Sequence, residues 1–553
     1  MKTRHLFISL TIIIFVNTLQ AQTSRFLIEF KNKDTLYNAY TLDRPEAFLS
    51  ERALNRRARY NIPLTVSDLP VSGRYIDSLE PYVQYIQNRS KWMNAIVAAT
   101  DSALLDSIKA FAFVKEIKYL APANPVFNKS DRKGVQNRDS SKAKKDVMLS
   151  DSSFYGLAWE QISMMNGHLL HKNNYRGEGL IIAILDAGFK NADRLPVFER
   201  LWQNDQILGI RDFEDHDQEV FDSHLHGTMV FSLLGGYIPE IYIGTAPASQ
   251  YWLLRTEVGG SEYLIEEYNW IAAAEFADSA GVDIINSSLG YSTFDDSTQN
   301  HRYEDMDGHT TPVSKAAAMA AAKGMLVISS AGNLADQNWQ YISAPADADS
   351  IISVGAVDPN QRYAYFSSTG PTYDGRVKPE LAAQGIATVV QDIDSSFVMA
   401  NGTSFSAPII TGLTACLWQK YPNLSNVQII HKLIRSAHQY ASPDSLLIYG
   451  IPNFSVAGDV TIQDLGKSSI KIFPNPFQNY FYIRVPAVNI GQSSIYLEIY
   501  NMMGQKIYTR TYSKSVAGKH IRINALNDKP NGIYLVKLTL SPNFIIKQKM
   551  VKH

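Results

Sequence analysis

Short apolar runs alternate with longer amphipathic stretches in the central part of the chain. The runs at 180–185, 241–247 and 325–330 are mainly apolar, as in parallel strands that are buried on both faces of a sheet. The stretch at 262–280 has the length and spacing of an amphipathic helix. This alternation predicts a doubly wound parallel α/β sheet with crossover helices, and we assign it to residues 152–460.

The N-terminal flank shows three other patterns. Residues 1–21 have a basic start and an apolar core too short to cross a bilayer, which predicts a signal peptide, with an N-terminal anchor helix as the alternative. Residues 22–127 mix helix and strand patterns, such as the alternating run 113–120, and predict an α+β unit. Residues 128–151 are rich in Lys, Arg, Asp and Ser, and we expect an unstructured linker that contains a processing site.

The pattern changes again near residue 465. Short alternating runs follow, and turn signals such as Asn531-Gly532 separate them. Short strands with regular turns are typical of a β-sandwich. We therefore predict a C-terminal β-sandwich domain over 465–553.

Composition and net charge indicate a globular protein and give little support for some classes of partner. The chain has 553 residues, of which 45% are hydrophobic and 19% charged, as expected for two to four globular domains. Its formal net charge of -1 gives no reason to expect nucleic acid or an anionic membrane as a partner. The single cysteine, Cys416, excludes an intrachain disulfide and lies in an apolar helical pattern, where we expect it to be buried. We expect a monomer.

The segment 401–408, with the sequence NGTSFSAP, places a serine hydroxyl at the predicted start of an apolar helix. Backbone N–H groups at a helix N-terminus have no intrahelical partner, and the helix dipole favours negative charge there. Ser404 is therefore a candidate nucleophile whose developing oxyanion its own amide would hold. The alternative is an ordinary N-cap, for which Ser and Thr are common.

Two further motifs supply a candidate acid and a candidate base. Asp186 follows the apolar run 180–185, at the carboxyl end of a predicted strand, where open α/β sheets place their sites. His226 begins a second apolar helical pattern and is followed by Gly-Thr. A histidine accepts and returns a proton near neutral pH. Other residues compete for these two roles: His224 as base, and Asp212, Asp222 and Asp283 as acid.

Asp186-x-Gly, His226-Gly-Thr, Ala-Gly-Asn333 and Gly-Thr-Ser404-x-x-x-Pro occur in this order, and the chain resembles the subtilisin-like serine protease (subtilase) family over roughly 155–457. The resemblance implies a secreted serine endopeptidase acting on protein or peptide substrates through an Asp186-His226-Ser404 triad and an acyl-enzyme. It implies an oxyanion hole made by the Asn333 side-chain amide and the Ser404 N–H. It also implies a substrate-binding wall: Ser288, Leu289, Gly290, Ala331 and Gly332.

The flanking units resemble known accessory domains. Residues 22–127 are similar in position and pattern to a subtilase pro-domain, which implies a self-processing pro-enzyme whose pro-domain assists folding and inhibits the enzyme. An ordinary N-terminal binding domain is the alternative. Residues 465–553, with the motif FPNPF at 473–477, resemble a type IX secretion sorting domain. This implies contact with the secretion machinery and a secreted or cell-surface location. A retained substrate- or carbohydrate-binding module is the alternative.

The predicted chemistry requires no metal and no cofactor. Subtilases often carry stabilising calcium, and the loop 305–309 (DMDGH) offers oxygen ligands, although too few for a complete shell. A solvated or substrate-facing loop is the alternative. Two other functions stay open: a catalytically silent subtilase fold that acts as a surface-binding protein, and a lipase or esterase. The chain order of the triad and the lack of a Gly-x-Ser-x-Gly motif disfavour the lipase or esterase.

Overall fold

The computed structural model describes three folded units. The described residues are 23–123, 136–139, 151–215, 219–457, 471–484, 495–512, 520–541 and 544–553. We refer to 23–123 as the N-terminal unit, to 151–457 as the central unit and to 471–553 as the C-terminal unit. The predicted signal peptide and most of the predicted linker lie outside the described residues. None of the described helices has both the length and the apolar character needed to span a bilayer.

The N-terminal unit is a four-stranded antiparallel sheet, in the order β2-β3-β1-β4, with three helices. Its elements are β1 (Thr23–Phe30), α1 (Glu51–Tyr60), α2 (Gly73–Leu79), β2 (Tyr85–Ser90), β3 (Ala95–Asp101), α3 (Leu105–Lys109) and β4 (Val114–Pro122). Alternate strand residues face opposite sides of the sheet. Ile28 and Ile96 therefore pack in the core of this unit, whereas Leu27 and Val97 pack against the central unit.

The central unit contains a seven-stranded parallel sheet, in the order β14-β13-β12-β11-β6-β10-β7, which confirms the predicted fold class. The strands of the sheet are β6 (Ile181–Asp186), β7 (Ile207–Asp212), β10 (Gln250–Arg255), β11 (Ile284–Ser287), β12 (Leu326–Ser330), β13 (Ile352–Val357) and β14 (Leu381–Gln384). Four further strands of this unit lie outside the sheet: β8 (Tyr237–Ile238), β9 (Tyr242–Ile243), β15 (Thr388–Gln391) and β16 (Phe397–Asn401). An additional strand, β5 (Gln136–Asp139), precedes them in the chain.

Helices cover both faces of this sheet. They are α4 (Asp151–Tyr155), α5 (Trp159–Ser163), α6 (His168–Lys172), α7 (Glu199–Gln203), α8 (His226–Gly235), α9 (Ile265–Ala280), α10 (Pro312–Ala322), α11 (Thr403–Lys420), α12 (Asn426–Ser436) and α13 (Phe454–Ala457). Ile182 and Ile184 of β6 pack on the side of α8 and α11, and Ala183 and Leu185 pack on the side of α9 and α10. The central strand β6 is apolar up to its last residue because both of its faces are buried.

Two segments differ from the expectations drawn from the sequence. In the run 241–247 only Tyr242–Ile243 is a strand, because the following N–H groups of residues 244–246 donate to carbonyls at the end of α8. In the range predicted to be an unstructured linker, β5 pairs with β16. Strand pairing uses backbone groups, so a polar composition does not prevent it.

The C-terminal unit is built from two antiparallel sheets, in the orders β17-β18-β21 and β20-β19-β22-β23. The strands are β17 (Lys471–Phe473), β18 (Phe481–Arg484), β19 (Ile495–Tyr500), β20 (Lys506–Tyr512), β21 (His520–Ile523), β22 (Gly532–Ser541) and β23 (Phe544–Lys552). Phe481, Leu497 and Val536 contribute to one apolar core shared by the two sheets. The predicted C-terminal β-sandwich is confirmed.

Candidate active site

Three chain segments converge at the carboxyl edge of the parallel sheet. Strand β6 ends at Asp186, helix α8 begins at His226, and helix α11 begins next to Ser404. A Cβ atom at Gly227 would lie 2.3 Å from the Gly188 carbonyl oxygen and 3.0 Å from Asp186 Cβ. Only glycine therefore allows α8 to begin so close to the end of β6, which brings the histidine to the carboxylate.

Asp186 and His226 form a hydrogen-bonded pair. His226 Nδ1 lies 2.8 Å from Asp186 Oδ1 and 3.0 Å from Oδ2. The carboxylate is fully buried, and its Oδ1 also accepts the Ala187 N–H at 2.8 Å. A carboxylate can only accept hydrogen bonds, so Nδ1 of the imidazole is the donor. The neutral ring then has Nε2 as an acceptor.

Ser404 is the second residue of α11, so its N–H has no intrahelical acceptor. The helix is capped by Gly402, whose φ of 153° is unfavourable for a residue with a side chain. The Ser404 hydroxyl donates to the Ser288 carbonyl oxygen at 3.2 Å. In this arrangement the hydroxyl proton of Ser404 points to the backbone of Ser288.

Asn333 is held in one orientation by Thr403. Its Oδ1 accepts both the Thr403 N–H and the Thr403 hydroxyl, each at 2.8 Å. Because a backbone N–H can only donate, the amide oxygen must face Thr403, and Nδ2 is on the opposite side of the amide, beside Gly402. Thr403 was not among the residues predicted for the site, although it lies within the segment 401–408 that identified Ser404.

One cavity of about 460 Å³ contains most of the predicted site residues. His226, Asn333 and Ser404 line it together with the predicted wall residues Ser288, Leu289, Gly290 and Gly332. Ala331 does not line it, because its side chain is buried with Ile342 and Ala346. The Ser343 hydroxyl is also part of the lining and lies between Gly290 and Gly332. No local sequence signal identifies Ser343.

Acidic residues that were not predicted from the sequence form another part of the cavity lining. They are Glu257, Glu262 and Asp295. The Glu262 N–H donates to Asp295 Oδ2 at 3.1 Å, and the buried Tyr291 phenol donates to Glu257. Burial and the Glu257 carboxylate raise the pKa of Tyr291 well above its usual value. Glu257 follows β10 by two residues, so the rule that identified Asp186 also applies to it.

The alternative acids lie in other environments, whereas the alternative base lines the same cavity as His226. Asp212 pairs with Arg255, at 2.6 Å, and Asp283 accepts the Ile181 N–H at 2.9 Å. Asp222 is exposed. His224 lines the cavity, and its Nδ1 accepts the His226 N–H at 3.2 Å.

The loop 305–309 uses its carboxylates to hold its own backbone. Asp307 Oδ1 accepts the N–H groups of His309 and Thr310 at 2.8 and 2.7 Å, and Asp305 accepts the Arg302 N–H at 2.8 Å. Within the described ranges, no group of three or more His, Cys, Asp or Glu side chains is arranged to hold a metal ion. Calcium binding by this loop stays a prediction.

Family models match three parts of the chain. Residues 177–451 match the model of the subtilase family. Residues 25–138 match the peptidase S8 propeptide domain of Bacteroidota. Residues 471–553 match the secretion system C-terminal sorting domain.

Individual relatives are distant. Subtilisin DY of Bacillus licheniformis is 26% identical over 280 residues, which are 50% of this chain and 90% of that protein. The thermostable alkaline protease of Halalkalibacterium halodurans is 28% identical over 291 residues, which are 52% of this chain and 70% of that protein. The crystal structure of MycP1 from Mycobacterium smegmatis is 22% identical with a TM-score of 0.44, and the match covers 59% of this chain and 91% of that one.

Proposed function

The chain belongs to the subtilase family, with a Bacteroidota-type propeptide and a C-terminal secretion sorting domain, and from this premise we propose that it is a serine endopeptidase made as a self-processing pro-enzyme. The observation that carries the proposal is the buried Asp186–His226 pair, whose histidine lines the same cleft as Ser404 and Asn333. The sorting domain implies secretion or attachment at the cell surface.

In the proposed reaction Ser404 first rotates away from the Ser288 carbonyl and donates its proton to His226 Nε2. Its oxygen then attacks the carbonyl carbon of a peptide bond. His226 becomes an imidazolium, and Asp186 stabilises the charge through the bond to Nδ1. His226 then returns the proton to the leaving amine, and an acyl-enzyme remains. A water molecule, activated by His226 in the same way, hydrolyses the acyl-enzyme.

The oxyanion of each tetrahedral intermediate would be held by two donors. One is the Ser404 N–H at the start of α11, and the other is Nδ2 of Asn333. Thr403 fixes the Asn333 amide before the reaction, so little reorganisation is needed when charge develops. The substrate backbone would pair with the extended segment 288–290 as an added strand. None of these steps requires a metal or a cofactor.

The proposed role of the N-terminal unit as a folding assistant and inhibitor is supported by its packing. Leu27, Trp92 and Val97 share an apolar cluster with α9 and α10 of the central unit. The Glu275 carboxylate of α9 accepts the N–H groups of Lys91 and Trp92 at 2.7 and 2.9 Å. These contacts would fix two crossover helices of the sheet before the enzyme is released.

The test is the intact mass of the purified full-length protein, followed over time for the wild type and for Ser404→Ala. We expect only the wild type to lose its N-terminal unit, and the mass to locate the cut. A serine-directed phosphonate should add its mass to the wild type and not to the variant. Absence of both processing and phosphonate labelling in the wild type would reject the proposal and favour a catalytically silent surface-binding protein.

A further inference from the structure

We propose that the Ser288 side chain is a positioning group for the nucleophile: its hydroxyl holds the Ser404 carbonyl, which Pro408 leaves without a helical hydrogen bond. This inference rests on the proposed peptidase function. It assigns to the Ser288 hydroxyl a role separate from that of its backbone, which would pair with the substrate.

The missing hydrogen bond follows from the position of the proline. In an α-helix the carbonyl of residue 404 accepts the N–H of residue 408. Residue 408 lies inside α11 and is proline, which has no N–H. Ser288 Oγ donates to the Ser404 carbonyl oxygen at 2.8 Å and replaces the missing donor. The first turn of α11, which carries the nucleophile, is therefore attached to the cleft wall through this hydroxyl.

The Ser288 hydroxyl belongs to a buried chain of hydrogen bonds. Ser288 Oγ accepts from Asn286 Nδ2 at 3.2 Å, and Asn286 Oδ1 accepts from Thr411 Oγ1 at 2.8 Å. Asn286 and Thr411 are fully buried, and Ser288 is 4% exposed. The Ser404 carbonyl oxygen can only accept, so the single proton of Ser288 Oγ points to it, and Oγ accepts from Asn286. Since Thr411 lies on α11 as well, the chain of bonds begins and ends on the same helix.

Ser288 also contacts the hydroxyl group of Ser404. Its carbonyl accepts the Ser404 hydroxyl at 3.2 Å, so the two residues exchange two hydrogen bonds. The Ser288 side chain therefore holds the Ser404 carbonyl, and its backbone holds the Ser404 hydroxyl until the reaction begins. Loss of the Ser288 hydroxyl should let the first turn of α11 shift, and with it both Oγ and the N–H of Ser404.

The kinetic test uses Ser288→Ala in the full-length, self-processed enzyme with a chromogenic peptide. We expect kcat to fall about 10- to 100-fold, because small displacements of a reacting group are costly, while KM changes less than about threefold. KM should change little because the backbone of Ser288, which would pair with the substrate, is the same in the variant. Ser288→Thr keeps a hydroxyl and should restore most of kcat. An unchanged kcat in Ser288→Ala would overturn the inference.

Pro408→Ala supplies the decisive control. It restores an N–H at residue 408, which can bond to the Ser404 carbonyl and make the Ser288 hydroxyl redundant. In the Pro408→Ala background, Ser288→Ala should therefore change kcat by less than about threefold. An equal loss of kcat in both backgrounds would show that the hydroxyl does not act through this carbonyl.

Stability measurements separate this inference from the proposed function. These measurements use the Ser404→Ala chain, which keeps the backbone carbonyl of residue 404. In that chain, Ser288→Ala should lower the urea midpoint more when Pro408 is present than when Pro408→Ala has been introduced. Coupling in the urea midpoint without coupling in kcat would mean a purely structural contact and would overturn the positioning role. A wild type that neither cleaves peptide nor reacts with the phosphonate would instead reject the proposed function.

Discussion

Asp278 of α9 is the point at which three cations of the N-terminal unit meet, and its replacement by Asn should undock that unit. Arg56 and Arg57 Nη2 lie 2.7 and 2.9 Å from its two carboxylate oxygens, and Lys91 Nζ lies 3.2 Å away. The Asp278 side chain is fully buried. Burial alone would raise its pKa, but Lys91, Arg56 and Arg57 hold the pKa well below its usual value.

The expected magnitude follows from this burial. Removing one partner of a buried ion pair costs about 3–5 kcal/mol, because the other partner is left as an unpaired buried charge. At 1.4 kcal/mol per factor of ten, the equilibrium constant for docking of the N-terminal unit should fall by about two to nearly four orders of magnitude. Asp283→Asn is the matched control. Its partner Arg52 has a side chain 40% exposed, and a pair of this kind contributes about 1 kcal/mol or less.

The assay is hydrogen exchange in the full-length Ser404→Ala chain, which cannot cleave itself under the proposed mechanism. The N–H groups of Lys91 and Trp92 donate across the interface to Glu275, so their exchange reports undocking. Asp278→Asn should accelerate it far more than Asp283→Asn does, while exchange in β12 stays unchanged. Equal acceleration by the two variants would refute the reasoning, because burial would then not determine the strength of the pair.

Four further predictions concern the cleft and the core. Asn333→Ala should lower kcat by about 10²- to 10³-fold, and Asp186→Asn by about 10⁴-fold because it favours the wrong His226 tautomer; steady-state kinetics measure both. Burial lowers the pKa of His171 to about 4, below the ordinary 6.5 of the unfolded chain. Its contribution to stability is therefore full at neutral pH and falls as the pH drops from 6.5 towards 4, by about 2 kcal/mol at pH 5. Urea unfolding of His171→Gln should show a correspondingly smaller pH dependence. The cavity lining includes Glu262, so peptides with Lys or Arg should be cleaved faster than Glu analogues, and Glu262→Gln or high salt should reduce the difference.

The fold was predictable where burial is nearly complete. The apolar run 180–185 became the central strand β6, because a strand covered by helices on both faces has no polar side. The run 241–247 differs from its prediction as a strand for another reason. Its N–H groups donate hydrogen bonds to the carbonyl groups at the end of α8. The hydropathy pattern does not show which backbone groups a segment will bond to.

The candidate site was predictable only as separate motifs. Each of Asp186, His226 and Ser404 stands at the end or start of an element, and that position is visible in the local pattern. The anchoring of Asn333 by Thr403 and the contact of Ser404 with Ser288 join residues 70 and 116 positions apart. Such contacts depend on strand order and helix placement, which the local sequence does not specify. The strand-end rule also applies to Glu257, which follows β10 by two residues.

The interface of the N-terminal unit has a composition that fits the proposed release of this unit. Its apolar part, with Leu27 and Trp92, favours docking, and beside it lie buried charges that centre on Asp278. Buried ion pairs contribute less net stability than apolar contacts of equal size, because both charges lose their hydration. On undocking, Arg56, Arg57 and Asp278 regain water, which offsets part of the lost attraction. A purely apolar interface would expose a large hydrophobic face on α9 after release. If the unit is released as proposed, the carboxylate of Asp278 would leave this part of the α9 surface polar.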